Sequence, residues 1–304
     1  MDLLHTLSDI AVRYLSEERL TALRARYLSF RRQLNPLLKL IYGTYNTKEL
    51  QTHIQKTVGS DFEILMVHSS INHMSPMYTG TAMELIRMLI DFCGPERTLV
   101  MPAFYFGDPK IGTVQETFQA CPEFNLKRTP SQMGLMTELF RRTKGVAQSR
   151  HPVYRVAALG PLAEELAAGH EHASGPSGFG SPFEYMAKHD TMIIGIGKSC
   201  HVMTQVHHVD EIMGEDFPVP KTPKEQRNDL HVTVIDGKKE IPVILPSTGL
   251  KWRFNIAKLP QLLQPGDLKY WSFHHTPLFA ANAKRVTDSL IKAAKQGLTL
   301  YEPS

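Results

Sequence analysis

Residues 63–102 read EILMVHSSINHMSPMYTGTAMELIRMLIDFCGPERTLVMP. Glu63 to Val67 is a short apolar strand that ends in the polar triplet His68-Ser69-Ser70. Gly80 stands just ahead of Ala82 to Cys93, where apolar residues recur at helical spacing. Leu99-Val100-Met101 is a second apolar run, stopped by Pro102. Strand, loop, helix and strand in so short a span form a βαβ unit. That unit predicts an α/β fold with parallel strands and helices on the sheet faces.

Outward from this unit the pattern changes several times. Residues 1–60 read as helical and amphipathic, with a basic run at Arg24-Ala25-Arg26-Tyr27-Leu28-Ser29-Phe30-Arg31-Arg32. A solvated helix face packed on the domain is preferred there over a membrane-surface helix. Residues 105–190 are rich in Pro, Gly, Ser and His, with helices predicted at Gln132–Arg142 and Pro161–Ala168. Met192 to Ile194 is another apolar strand. Leu230–Ile235 and Ile241–Leu245 flank Asp236-Gly237, the signature of a hairpin. A final amphipathic helix is predicted over roughly Pro277 to Gln296. The expected organisation is a helical extension, 1–60, packed on one α/β domain, 61–304, with a hairpin subregion at about 225–275.

Composition narrows the function classes. A chain of 304 residues, 42% apolar and 21% charged, is an ordinary globular protein with room for a sizeable core. The net charge of +4 is mild and its basic residues are scattered, so nucleic acid is not an expected partner. That charge suits an anionic ligand such as a phosphorylated cofactor. The three cysteines, Cys93, Cys121 and Cys200, lack C-x-x-C spacing. With no signal-peptide pattern in Met1-Asp2-Leu3-Leu4-His5, they point to the cytoplasm. No window approaches the ~20 apolar residues of a membrane span.

The chemistry concentrates in Gly195-Ile196-Gly197-Lys198-Ser199-Cys200-His201-Val202-Met203-Thr204-Gln205-Val206-His207-His208-Val209-Asp210-Glu211. Thr204, His207 and Asp210 or Glu211 fall at helical i, i+3 and i+4 spacings and so share one face. A histidine beside a hydroxyl and a carboxylate is suited to general-base work. His201, His207, His208, Asp210 and Glu211 also invite a zinc reading. The spacing is neither H-x-x-x-H nor H-E-x-x-H, so no metal is expected. Cys200 beside His201 is read as a turn cysteine, because adjacent side chains do not normally face each other. His68-Ser69-Ser70 at a strand end is either a polar turn or a donor set for a phosphate or oxyanion. Thr79-Gly80-Thr81 is either a plain N-cap or an anion site at a helix start. Ser149-Arg150-His151-Pro152 and Ser181-Pro182 are loop motifs with little weight alone.

The order of these pieces resembles the aminoglycoside 3-N-acetyltransferase, or antibiotic N-acetyltransferase, family. The resemblance runs from about Ile64 to Glu211. It is carried by His68-Ser69-Ser70-Ile71, Thr79-Gly80, Gly94 and Arg97-Thr98-Leu99-Val100-Met101-Pro102. Next come Pro130-Ser131, Gly134, Glu138 and Arg141, then Gly145 and Gln148-Ser149-Arg150-His151-Pro152. His170, Gly178, Ser181-Pro182, Gly195, Gly197 and Thr204-Gln205-Val206-His207-His208-Val209-Asp210 complete it. Departures include Thr79 for a Gly, Arg97 for a Gly, Gln148 for an Arg, Arg155 for a Ser and Asp210 for a Glu.

The resemblance implies a mixed sheet flanked by helices, distinct from the common GNAT acetyltransferase fold, and acetyl-CoA as cofactor with no metal. It implies direct acyl transfer to a small-molecule amine with His207 as base, oriented by Asp210 or Glu211. Thr204 and the backbone at Ser69 and Ser70 would stabilise the oxyanion. His68, Ser69, Ser70, Ile71, Thr79, Gly80 and Thr81 would contact CoA, with Ser149 and His151 lining the pantetheine channel or its edge. An amino-sugar or metabolite is the first expectation for the acceptor. A resistance enzyme acting on aminoglycosides is the second, and a CoA-binding protein without turnover the third. The N-terminal region either covers the sheet or serves a homodimer contact.

Overall fold

The computed structural model describes residues 33–303, Thr248 excepted. The basic run Arg24–Arg32 lies outside the described residues. Of the N-terminal region, α1 (Asn35–Tyr42) and α2 (Thr47–Val58) are described. Asn46 starts α2 through a capping box with Glu49, and Tyr45, Leu50 and Ile54 enter the core.

The βαβ unit is present as the sequence predicts. It comprises β1 (Ile64–Ser69), α3 (Ala82–Cys93) and β2 (Thr98–Pro102), with β1 and β2 parallel. Thr81 and Glu84 box the start of α3, which buries Leu85, Ile86, Leu89 and Phe92 against the sheet. Beyond it follow α4 (Val114–Ala120), β3 (Glu123–Asn125), α5 (Leu135–Phe140), β4 (Ala147–Gln148) and β5 (Val156–Leu159). Then come α6 (Ala163–Ala167), α7 (Pro182–Lys188), β6 (Thr191–Ile196) and α8 (His207–Ile212). The predicted helices at 132–142 and 161–168 are therefore the shorter α5 and α6.

The remaining strands are β7 (Leu230–Asp236), β8 (Lys239–Leu245), β9 (Arg253–Phe254), β10 (Leu268–Phe273), β11 (Thr276–Asn282) and β12 (Tyr301–Glu302). The last helix is α9 (Ala283–Ala294). The helix expected from Pro277 therefore begins only at Ala283, and its first part is strand. Leu278 to Ala281 is a continuous buried run next to β6. Periodicity cannot tell such a run from a buried helix.

The large sheet has seven strands in the order β10-β11-β6-β1-β2-β5-β4. β1 is parallel to both neighbours, while β11 and β5 run antiparallel to the strands they join. The sheet is mixed, as the family resemblance implies. Ile64 to Val67 are all buried, as befits a strand covered on both faces. One face carries α2, α3 and α5, through Leu50, Leu85, Leu89 and Phe140. The other carries α6, α7, α8 and α9, through Leu166, Phe183, Val209 and Val286.

The predicted hairpin is β7–β8, turning at Asp236 to Lys239 with Gly237 at φ +65°. It joins β3 in a separate three-stranded sheet with its own core of Phe118, Phe124, Val232, Val234 and Val243. β10 instead forms an edge of the large sheet. Arg150 ties the two parts, reaching Asp236 at 2.9 Å and Glu171 at 3.2 Å. Arg155, fully buried, does so from within. It donates to the carbonyls of Ala103 (3.1 Å), Leu126 (2.6 Å) and Thr129 (3.1 Å), and its guanidinium lies over the Phe124 ring. Among the described residues, no helix is long and apolar enough to cross a membrane.

Candidate active site

β1 and β6 end side by side, and their loops close on each other. Ser70 N donates to Ile196 O at 2.9 Å. Gly197 sits at φ +69°, where a Cβ would come within 2.5 Å of Ser70 O, so the close approach requires glycine. His68 stands opposite Gly195 in register. Its ring is buried, and burial together with the nearby Lys198 charge pushes its pKa down to about 3. Its Nδ1 has no partner among the described residues.

From β6 the chain passes through two single turns, Cys200–Val202 and Thr204–Val206, into α8. Val206 and Val209 face the core, while His208 is buried with Nδ1 2.6 Å from Ser177 O. His207 points the other way, its side chain 26% exposed. Its ring packs against Phe254 at 4.6 Å and Tyr154 at 6.3 Å.

The sequence leaves open whether Asp210 or Glu211 partners His207, and the geometry separates the two acids. Asp210 Oδ2 lies 3.9 Å from His207 Nδ1, close enough to orient the ring electrostatically but longer than a hydrogen bond. Asp210 is buried and accepts a hydrogen bond from the Tyr301 hydroxyl, and its Oδ1 has no partner among the described residues. Glu211 turns instead to Ser177, accepting from its amide at 3.0 Å and its hydroxyl at 2.7 Å. A Cβ on Gly175 would fall 2.2 Å from Glu211 Oε2, and one on Gly178 2.9 Å. The small-residue run Ser174-Gly175-Pro176-Ser177-Gly178 thus makes the nest for this carboxylate. Burial pushes Glu211 up to about 7, opposed by the Ser177 bonds and assisted by the Asp210 charge.

Both acids line a cleft of about 280 Å³ together with Glu215, Phe179, Lys221 and Arg227. His207 lies one helical turn before the two acids, beside the cleft and not among its lining residues. Thr204 is nearly buried, its hydroxyl making only a long 3.4 Å bond to Val202 O. Among the described residues, no group of three or more His, Cys, Asp or Glu side chains is arranged to hold a metal ion.

The expected cofactor contacts divide. Ser69, Ser70 and Ile71 stand half-exposed where β1 and β6 end. The Ser70 amide is engaged with Ile196 O. Thr79 donates both its amide (3.0 Å) and its hydroxyl (3.1 Å) to Tyr45 O, and Gly80 packs against Tyr78 and Thr47. Thr81 N donates to Glu84 at 2.6 Å, so a phosphate at this helix start would meet a carboxylate. These three residues cap α3 and hold α2. Ser149 and His151 are enclosed too. Ser149 Oγ bonds Val156 N (2.9 Å) and His170 Nδ1 (2.9 Å), while His151 Nδ1 accepts from Val153 N (3.2 Å) and Tyr154 N (2.9 Å). They shape the turn that presents Tyr154.

Tyr154, Ser177, Phe254 and Tyr301 are missed by reading the sequence. Only the small-residue run around Ser177 offers a local signal.

A pH dependence follows from Glu211. Its folded pKa of about 7 exceeds the ordinary carboxylate value of about 4.3, so the folded state binds this proton more tightly than the unfolded chain. Stability is therefore lost as pH rises between these values and is flat above, by roughly 3 kcal/mol in all. Glu211→Gln cannot ionise and lacks this slope. The melting temperature of the variant relative to wild type should rise from about pH 5 to about pH 8. A difference constant with pH would contradict the assignment.

Comparison with known proteins points the same way. The family model for aminoglycoside 3-N-acetyltransferase matches residues 66–292. An aminoglycoside N(3)-acetyltransferase IX from Micromonospora chalcea is 27% identical over 163 residues, covering 50% of this chain and 57% of that protein. The chain thus spans a little over half the length of the curated relatives it matches. A solved structure of AAC-IIIb in binary complex with CoASH superposes with a TM-score of 0.66 at 17% identity, covering 86% of this chain and all (100%) of that one. Sisomicin-bound AAC-VIa gives 0.67 at 18% identity, covering 84% and 100%. These likenesses establish the shared fold, and with three quarters of its length inside the family match the chain belongs to the aminoglycoside 3-N-acetyltransferase family.

Proposed function

We propose that this protein transfers the acetyl group of acetyl-CoA directly to an amino group of an aminoglycoside, with His207 as general base. The observation that carries this reading is the partly exposed His207, paired with Asp210 beside a cleft that three carboxylates, Lys221 and Arg227 line. The sequence alone favours a metabolite or surface-glycan amine. The names of the relatives and the sisomicin-bound neighbour instead support the aminoglycoside reading.

The chain's own groups account for the steps. Nδ1 of His207 faces Asp210, which leaves Nε2 for the proton of the attacking amine. Asp210 holds the ring and favours its charged form once the proton arrives. Asp210 and Glu215 offer carboxylates to a cationic amino-sugar in the cleft, between the cationic Lys221 and Arg227. Thr204, whose own hydrogen bond is long, is the donor best placed in sequence to meet the developing oxyanion. The half-buried Lys198 and His68 Nδ1, which has no partner among the described residues, fit an anionic, hydrogen-bonding cofactor at the ends of β1 and β6. When bound, acetyl-CoA supplies the activated acyl group.

The test is a panel of aminoglycosides, simple amino-sugars and non-sugar amines with acetyl-CoA, following CoA release with a thiol reagent. The expected result is the highest kcat/KM on aminoglycosides. Turnover confined to simple amino-sugars would restore the metabolite reading. CoA binding with no thioester cleavage on any amine would leave a non-catalytic protein.

A further inference from the structure

We infer that Tyr301 is a positioning residue for the proposed acetyl transfer, setting His207 through Asp210; the inference rests on that reading of His207. Tyr301 lies beyond the residues that the family model matches, 66–292. It reaches the site because β12 pairs with β9, which sets Tyr301 opposite Phe254. The pairing is fastened on both sides. Glu302 is held by Arg253 and by Asn255 Nδ2 (3.0 Å), while Asn255 N donates to Leu300 O at 2.6 Å. Lys258 Nζ donates to Tyr301 O at 3.2 Å, and the Tyr301 ring is walled by Phe217 (5.7 Å) and Phe254 (5.3 Å).

One strand pair therefore delivers two groups to the dyad. Phe254 packs on the His207 ring at 4.6 Å. The Tyr301 hydroxyl donates to Asp210 Oδ2, the same oxygen that lies 3.9 Å from His207 Nδ1. Because Asp210 Oδ1 has no partner among the described residues, the phenol is the only hydrogen-bond donor on this buried carboxylate within them. A carboxylate with one donor is oriented by that donor. Burial and the Asp210 charge both push the phenol pKa up, so it keeps its proton and remains a donor throughout the reaction.

The experiment is Tyr301→Phe in the full chain, which keeps the ring and its packing and deletes only the hydroxyl. The expected result is a fall in kcat of about tenfold, the effect of one hydrogen bond to a charged group. KM for amine and acetyl-CoA should stay within about twofold, because the hydroxyl touches neither. The limb of the pH–rate profile that depends on the base should move relative to wild type. In an Asp210→Asn background Tyr301→Phe should add little further loss, since the two act in series. Wild-type kcat and an unmoved profile for Tyr301→Phe, or full additivity with Asp210→Asn, would overturn the inference. If Tyr301→Phe fails to fold, a ring-fluorinated tyrosine at the same position weakens the phenol's hold on its proton without removing it; an unmoved profile there refutes the role equally. Wild-type turnover of His207→Ala sinks the base reading itself. An inactive His207→Ala with a silent Tyr301→Phe sinks only the role of Tyr301.

Discussion

His207→Ala lowers kcat by roughly 10²–10⁴-fold, the usual worth of general acid–base catalysis, while affinity for CoA stays near wild type. The split between the two readouts follows from where the ring sits. His207 is on the open side of α8, packed by Phe254 and Tyr154. Removing it opens a small space at the surface and leaves the core contacts of Val206 and Val209 intact. The variant therefore folds, and a loss of turnover reports chemistry. Pre-steady-state release of CoA, alongside calorimetric CoA binding, separates the two. Near-wild-type release refutes the base, and a parallel loss of CoA binding would place His207 at the cofactor instead. Asp210 should lose less than His207, because it acts on the ring and not on the amine.

The second large effect is on stability. Arg155→Ser should cost about 3–5 kcal/mol and lower the melting temperature by roughly 10 °C. Serine is the residue the family resemblance leads one to expect at this position, so the exchange looks conservative from sequence. In the structure Arg155 is fully enclosed and reaches three carbonyls, at Ala103, Leu126 and Thr129. Those carbonyls belong to the end of β2 and to the segment after β3. Serine is too short to reach any of them, and each would lose its donor inside the protein. Burial, with the neighbouring Arg141 charge adding to it, pushes the Arg155 guanidinium down to about 9, still charged at neutral pH. It is thus a buried cation dispersed over carbonyl dipoles. Calorimetry of the variant, with proteolysis at residues 123–129, checks the cost. A midpoint within about 2 °C of wild type would show that the carbonyls find water or other partners.

What could be read from the chain were its local signals. The βαβ unit was legible because a fully apolar strand and an amphipathic helix each bury what their own residues dictate. The β7–β8 hairpin was legible because Asp-Gly suits a tight turn. The spacing that gathers His207 and Asp210 was legible because helix geometry is local. Leu278 to Ala281 misled because a strand buried on both faces has no period of two. The surroundings of His207 were not legible at all. Tyr301 lies 91 residues from Asp210, and only the sheet pairing of β9 with β12 brings them together. The Ser149 and His151 motif carries little weight by itself, and what the fold adds is its enclosure. His170 and His151 stack at 4.5 Å inside the protein, where burial pushes both imidazoles down and holds them neutral. Glu138 and Arg141 pair with each other at 2.6 Å and tie their helix to the loop before it, Glu138 accepting from Ser131 N (2.8 Å) and Arg141 donating to Lys127 O (3.1 Å).

The small sheet of β3, β7 and β8 hangs from the larger body by unlike tethers. Arg150 grips two acids while a third of its side chain remains in water, so added electrolyte weakens its hold. Arg155 is sealed from ions, and salt leaves its grip unchanged. Added electrolyte should therefore cost this junction the outer tie and leave the inner anchor in place, beside the apolar packing of Tyr105 and Val153 on the small sheet's core.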